Sequence, residues 1–229
     1  MTFARFFALR MRARVRRKTR QRIIRQPAPL QRPQPEKTMT GRKPANADLE
    51  FGKPGQLGLV IRLNPKTGER SFDNLTWGLL LHNTEDMTSA PRPIWARAET
   101  VASLPIFADA FERRRAIIPA NEYFQRATAG EVGRRWAISR IDRRPMAWAG
   151  LWEGYKARSG EITRSYCVIT VAASADVTPI HDRMPLVLED GDLPLWLGET
   201  PGDPTTLLRA PAAGILKCRA LTGFHARLT

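Results

Sequence analysis

The chain has 229 residues, an apolar fraction of 42% and a net charge of +15. This length fits one domain with a tail, or at most two small domains, and no apolar run approaches the roughly 20 residues that a membrane-spanning helix needs. The two cysteines, Cys167 and Cys218, form no CxxC pair, which argues against a disulfide framework and favours a reducing cytoplasm.

The positive charge is concentrated at the N-terminus. Residues 1–38 hold twelve Lys and Arg and one acid, a net of +11, which leaves +4 for the rest of the chain. The segment 5–26 suits a basic helix on a polyanion, a disordered basic extension or an organellar transit peptide. The Pro-rich segment 26–48 is typical of a linker. We therefore predict a disordered tail and linker over residues 1–48 and a single domain over residues 49–229.

The domain begins with a predicted hairpin. Two strand-like runs, 56–63 and 71–81, flank the turn-forming sequence "NPKTGE". The segment 103–115 then has apolar residues at 104, 107, 110 and 111, the spacing of an amphipathic helix. Ser103 is a candidate N-cap for this helix, and Pro105 suits its first turn.

Four further apolar or aromatic runs predict more strands. They span residues 116–124, 135–141, 145–155 and 164–173, and "LPLWLGET" at 193–200 predicts a short helix or turn. Short strands, few helices and no alternating βαβ rhythm predict an α+β fold that is β-rich, with a barrel-like antiparallel or mixed sheet.

The common cofactor motifs are missing. The sequence has no GxxxxGK[ST], no GxGxxG after a strand and no HExxH, and its three histidines at 82, 181 and 225 are widely spaced. We expect neither a metal nor a cofactor.

Two short segments offer candidate polar residues. In "IWARAET", Arg97 and Glu99 point the same way if the segment is extended. Arg97 then either binds a phosphate or forms an exposed pair with Glu99, worth under about 1 kcal/mol. In "PIHDRMPLVL", His181 suits proton transfer near neutral pH, although a lone histidine is more often a packed or surface residue. Arg183 offers a second phosphate contact.

Aromatic residues lie between these basic segments. They suit stacking on unstacked bases, although such residues usually serve the core. They are Trp77, Trp95, Tyr123, Phe124, Trp148 and Trp152.

Several segments, in the order in which they occur along the chain, resemble motifs of the SOS-response-associated peptidase family, whose members are also called abasic-site processing proteins. The segments are "KPGQ", "LTWGLLLH", "IWARAETVASLPIFADAFERRRAIIPANEYFQ", "MAWAGLWEGY" and "YCVITVAASADVTPIHDRMPLVL", roughly residues 51–200. The resemblance implies a β-rich α+β domain with a positively charged single-strand groove. It also implies that a cysteine after the initiator Met captures the aldehyde of an abasic site as a thiazolidine and releases any short propeptide. An Asn, a Glu and a His support this chemistry.

When the family's site residues are assigned to this chain by its motifs, several of them differ. The resemblance assigns the catalytic histidine to His181 and the two DNA-facing arginines to Arg97 and Arg183. The Asn position holds Trp95 and the Glu position holds Gln125. Glu122 is the nearest acid, but an offset of three along a strand points it to the other face.

The nucleophile is altered as well. The chain starts Met1-Thr2, without the family's Cys. A second segment, "MTGR" at 39–42, resembles the family's MCGR start with Thr40 in place of the Cys. The resemblance makes Arg42 a further DNA contact. An N-terminal Thr can act as a nucleophile with its own amine as base, although ring closure through a hydroxyl should give a weaker adduct. Cys167 lies mid-strand by pattern and is not expected to substitute.

Three hypotheses remain open from the sequence: an abasic-site processing enzyme with an altered site, a non-catalytic single-stranded DNA binder, and a decaying paralogue. The segment after residue 200, where the family's last motif is not recognisable, favours the latter two. We predict a monomer that binds single-stranded and abasic-site DNA in the cytoplasm, at the nucleoid, with no membrane contact. We expect its crosslinking and peptidase chemistry to be weak or lost.

Overall fold

Strands dominate residues 53–221, which are the residues that the computed structural model describes. The predicted tail and linker, with Thr40 and Arg42, lie outside them. Within residues 53–221 the strands are β1 Leu57–Leu63, β2 Arg70–Trp77, β3 Trp95–Arg97, β4 Arg115–Ala120, β5 Glu122–Arg126, β6 Arg135–Arg140, β7 Met146–Lys156, β8 Ile162–Ala172, β9 Arg183–Pro185, β10 Val187–Leu188 and β11 Leu216–Ala220. The helices are α1 Ala98–Val101, α2 Pro105–Arg113 and α3 Leu193–Leu197.

Five strands close into a mixed barrel, which confirms the predicted β-rich α+β fold. Their order is β7-β4-β1-β2-β8, and pairing of β8 with β7 closes the ring. The pairing of β2 with β8 is parallel, whereas the other four contacts in the ring are antiparallel. Three short strands extend this sheet: β3 and β9 pair with β8, and β10 pairs with β7.

The predicted hairpin is confirmed, but its second strand is shorter than expected. β1 and β2 pair with Ile61 opposite Phe72, and the turn closes where the backbone N–H of Gly68 donates to the carbonyl of Asn64 at 2.8 Å. β2 ends at Trp77 because Gly78 adopts a φ of 127°, which an extended strand does not use.

The predicted amphipathic helix is also present, as α2, but its N-cap was predicted wrongly. Leu104 is the N-cap residue and supplies no capping side chain, while the hydroxyl of Ser103 donates to the carbonyl of Thr100 at 3.2 Å. Phe107 and Phe111 are buried as expected, whereas Leu104 stays 42% exposed because it precedes the helix.

A second sheet of three strands has the order β11-β6-β5. The run 116–124, predicted as one strand, is divided between the two sheets: β4 ends at Ala120 in the barrel, and β5 begins at Glu122 in the second sheet. β11 was not predicted, since "LKCRA" alternates basic and small residues without an apolar run.

The core lies inside the barrel and beneath the helices. Trp148, Trp196 and Tyr166 are among its largest fully buried side chains, and the indole N–H of Trp196 donates to the carbonyl of Ala116 at 2.8 Å. Across the described part of the chain, we find no helix with the length and apolar character that a membrane crossing demands.

Candidate functional site

A cleft of about 640 Å³ opens beside β3, β5 and β9. It is lined by Lys53, Trp77, Trp95, Arg97, Tyr123, Phe124, Gln125, Arg135, Trp148, Thr170, His181, Arg183, Met184 and Pro185. Five residues singled out from the motifs therefore meet in one place, although they come from three separate segments of the chain.

The cleft is positively charged. Lys53, Arg97, Arg135 and Arg183 contribute cations, and none of the described lining residues is acidic. A concave surface of one sign focuses its field and concentrates counter-ions, so this cleft suits a polyanion.

A hydrogen-bonded turn holds His181. Its backbone N–H donates to the carbonyl of Val177 at 3.0 Å, and the backbone N–H of Arg183 donates to its Nδ1 at 2.9 Å. A carboxylate oxygen of Asp182 also lies 2.9 Å from Nδ1. Nδ1 therefore faces both a backbone N–H donor and a carboxylate acceptor, and these two contacts hold the ring in place.

Arg183 is bound within the protein. Its guanidinium donates to both carboxylate oxygens of Glu99 and, at 2.7 Å, to the carbonyl of Thr170. The Arg183 guanidinium, the nearest donor, lowers the pKa of the Glu99 carboxyl. Of the two alternatives for Arg97, the described part of the structure shows no direct ion pair with Glu99, because α1 begins directly after Arg97 and turns the Glu99 carboxylate towards Arg183. Arg97 lies exposed at the end of β3.

Two altered positions form part of the cleft wall. The indole of Trp95 is 41% exposed and meets Trp77 edge to face at 5.3 Å. The side-chain amide of Gln125 donates to the carbonyl of Arg126 at 3.2 Å. Glu122 is absent from the described lining and lies 3.8 Å from Arg219 instead, so it does not replace the acid that Gln125 displaces.

Lys53, Arg135 and Thr170 were not singled out from the sequence. Lys53 belongs to the "KPGQ" turn and Thr170 to the segment "YCVITVAAS", but neither was assigned a role, and no motif contains Arg135. They reach the cleft because separate strands converge there, and local periodicity carries no signal for such a position.

Both cysteines are poor nucleophiles in the folded protein. Cys167 is fully buried in β8, and this burial raises the pKa of its thiol to about 12. Burial also raises the pKa of the Cys218 thiol, which is only partly covered and donates to the carbonyl of Asp176 at 3.3 Å.

We expect iodoacetamide to discriminate between these thiols. A raised pKa leaves less thiolate at a given pH, and Cys167 is also inaccessible, so at about pH 8 it should react at least about 100-fold more slowly than Cys218. Mass spectrometry of the digested protein measures both rates, and the urea-unfolded chain is the control in which the rates converge. Equal rates in the folded protein would contradict the burial of Cys167.

A separate cluster of possible metal ligands lies away from the cleft lining. Single ligand atoms of His82, Asp109 and Glu153 lie within 4.8 Å of one another. Arg114 donates to both carboxylates, at 2.7 Å to Glu153, so its guanidinium already supplies positive charge to the cluster. We interpret this cluster as a structural ion-pair network.

Comparisons with known proteins agree with the fold and the motifs. The family model for the SOS response associated peptidase (SRAP) matches residues 11–222. The abasic site processing protein YobE of Bacillus subtilis is 31% identical over 155 residues, covering 67% of this chain and 70% of YobE. The abasic site processing protein YedK of Escherichia coli is 28% identical over 138 residues, which is 60% of each chain.

Solved structures share the architecture. A Bordetella bronchiseptica protein superposes with a TM-score of 0.64 at 28% identity, covering 74% of this chain and 85% of that one. A Bacteroides thetaiotaomicron protein gives a TM-score of 0.66 at 20% identity, covering 73% and 75%, which supports the fold alone. The family match spans most of the sequence, including β11. The chain therefore belongs to the SOS response associated peptidase family.

Proposed function

We propose that this protein binds single-stranded DNA at abasic sites through the described cleft, and that covalent capture of the lesion is weak or lost. One observation carries the proposal. His181, held through its Nδ1 by the backbone N–H of Arg183, lies in a cationic cleft where Trp95 and Gln125 stand at the positions that the resemblance assigns to the family's Asn and Glu. The cleft keeps cationic and aromatic groups that bind a polyanion. It lacks the Asn and Glu side chains that support covalent capture in the family.

Two kinds of contact would bind the DNA: cations to its phosphates and aromatic rings to its bases. Arg97 and Lys53 suit phosphate oxygens, since charge-assisted contacts to phosphate are among the stronger hydrogen bonds. Trp95 and Phe124, 41% and 49% exposed, offer faces to unstacked bases. The relatives are named abasic site processing proteins, which supports an abasic nucleotide as the occupant near His181.

The altered residues account for the predicted loss of chemistry. Gln125 cannot exchange a proton as a carboxyl group does, and a positioned general acid or base typically contributes about 10²–10⁴-fold in rate. Trp95 fills space that the smaller Asn would leave open. Proton transfer in the cleft would then rest on His181 alone.

The alternative is covalent capture by Thr40 as a mature N-terminus. Its amine would attack the aldehyde carbon and lose water to give an imine. The Thr hydroxyl oxygen would then add to the imine carbon and pass its proton to nitrogen, which closes the ring. Thr40 lies outside the described residues, so the sequence motif "MTGR" is the observation that favours this route.

The test mixes the full chain with a single-stranded oligonucleotide that carries one abasic site. We expect a shifted complex on a native gel and no heat-stable band on a denaturing gel. Borohydride in a parallel reaction traps any imine, and an oligonucleotide with an intact base is the control. A heat-stable band without reductant would contradict the loss of capture, and absence of the native complex would contradict the whole proposal.

A further inference from the structure

The second sheet presents a distinct face to solvent. Its register places Tyr123, Ile138 and Cys218 side by side on the face that packs inward. The intervening residues therefore share the outer face, because side chains alternate along a strand. This outer face, here called the basic ledge, consists of Glu122, Phe124, Arg126, Arg135, Ala137, Ser139, Lys217 and Arg219.

An aromatic ring lies at the middle of the basic ledge. Phe124 is 49% exposed, and the guanidinium of Arg135 lies 5.6 Å from its ring centroid. Ala137, opposite Phe124 in the register, is only 2% exposed, so the larger side chains around it cover the sheet there. A half-exposed phenyl ring on the outer face of a sheet contributes little to the core.

The charge around this ring is one-sided. Arg126, Arg135, Lys217 and Arg219 are exposed, against one carboxylate on the basic ledge. That carboxylate, Glu122, lies 3.8 Å from Arg219, a distance that gives a weak and solvent-screened pair. A partner of high negative charge is therefore favoured.

The basic ledge is continuous with the cleft. Phe124 and Arg135 belong to the cleft lining and also to the outer face of the second sheet. Arg126 lies opposite Arg135 in the strand register, and Arg219, on β11, lies opposite Ala137 on β6. A strand leaving the cleft past Phe124 would meet these cations next.

We propose that the basic ledge binds the nucleotides that flank the one held in the cleft. One base stacks on Phe124, and the phosphates beyond it contact Arg126, Lys217 and Arg219. An aromatic ring among cations on a solvent-facing sheet is an arrangement that binds single strands, since every base has a face to stack. The inference rests on the proposed function, because it extends the same DNA site.

A single strand fits these observations better than an acidic protein segment. An acidic peptide would use the cations but would gain little from an exposed ring beside Arg135, whereas a base can stack on that ring.

The test compares two single-stranded oligonucleotides that each carry one abasic site, one of 4 and one of 12 nucleotides, with the full chain. We expect Phe124→Ala to weaken binding of the longer strand about 10-fold, the loss of one stacked base. The double variant Arg126→Ala and Arg219→Ala should reduce its salt slope by about 1.4, for two lost phosphate contacts. The Arg126–Arg219 variant should bind the shorter strand within about twofold of the parent, because neither residue lines the cleft. Phe124→Ala should cost the shorter strand less affinity than the longer one.

Arg113→Ala with Arg158→Ala is the matched control, because both residues are exposed cations outside the cleft and the basic ledge. An equal loss of affinity for the longer strand in the control variant would overturn the inference, because any exposed cation would then have the same effect. Unchanged affinity for the longer strand in the ledge variants would overturn the inference while leaving the proposed function intact.

Equal losses of affinity for both strand lengths in Phe124→Ala would assign Phe124 to the cleft alone and overturn its role on the basic ledge. A parent chain that binds neither strand would overturn both proposals. Displacement of the longer strand by a poly-glutamate peptide from the parent but not from the Arg126–Arg219 variant would instead identify an acidic protein partner.

Discussion

Replacing Glu153 by Gln is expected to lower the free energy of unfolding by about 3 kcal/mol. Glu153 lies in β7, is 2% exposed, and accepts a hydrogen bond from Arg114 at 2.7 Å. The amide keeps the size of the side chain but not its charge, so Arg114 retains only Asp109 as a carboxylate partner. Loss of one of the two carboxylates weakens the compensation of the Arg114 charge, and removing one partner of a buried ion pair is strongly destabilising.

Urea unfolding measures this loss, and a thermal melt should show a fall of roughly 6–12 °C in Tm. Glu112→Gln is the matched control, because its side chain is 70% exposed and should change stability by less than about 0.5 kcal/mol. Adding Arg114→Gln to Glu153→Gln should cost less than the sum of the single changes, since the two residues interact directly. A loss under about 1 kcal/mol for Glu153→Gln would contradict the importance of this pair.

A second large effect is expected from restoring the altered positions. In a chain that begins at Met39, the combination Thr40→Cys, Trp95→Asn and Gln125→Glu should raise the yield of heat-stable adduct with abasic-site DNA at least about 10²-fold. Removal of the initiator Met39 would free the α-amine of residue 40, which would form an imine with the aldehyde and release water. The thiol would then add to the imine carbon and pass its proton to nitrogen, which closes a thiazolidine. His181 and the cations of the cleft are already in place for this reaction.

Thr40→Cys alone is the control for this gain, since it supplies the nucleophile while Trp95 and Gln125 stay. We expect it to give less than about a tenth of the adduct formed by the triple variant, measured by denaturing gel at matched times. Equal yields would show that Trp95 and Gln125 do not limit the chemistry. No adduct from a folded triple variant would show that the cleft has lost more than these side chains.

Much of the fold could be predicted from local patterns, whereas its closure could not. Apolar runs between turn residues predicted the β1–β2 hairpin and the strands β6, β7 and β8. The parallel pairing of Thr76 with Ser165 joins distant segments, and no local pattern encodes it. β11 was missed because Lys217 and Arg219 alternate with residues of the inward face and interrupt any apolar run.

The site shows the same division. Motif spacing and the family resemblance led to Trp95, Arg97, Gln125, His181 and Arg183, which all lie on one cleft. The contact of Glu99 with Arg183 was not foreseen, because a helix starts where an extended segment was assumed. Arg135 was missed because its place depends on how the second sheet meets the barrel.

The closed barrel also has a consequence for how the chain reaches its native state. The hairpins β1–β2 and β7–β8 join neighbouring segments, so they lose little chain entropy on forming. The parallel contact of β2 with β8 joins Trp77 to Tyr166 and encloses about half of the domain in one loop. We expect this contact to form late and to make folding slow, as in other proteins rich in non-local strand pairs. The cleft, which draws on segments from both ends of that loop, would then be among the last features to assemble.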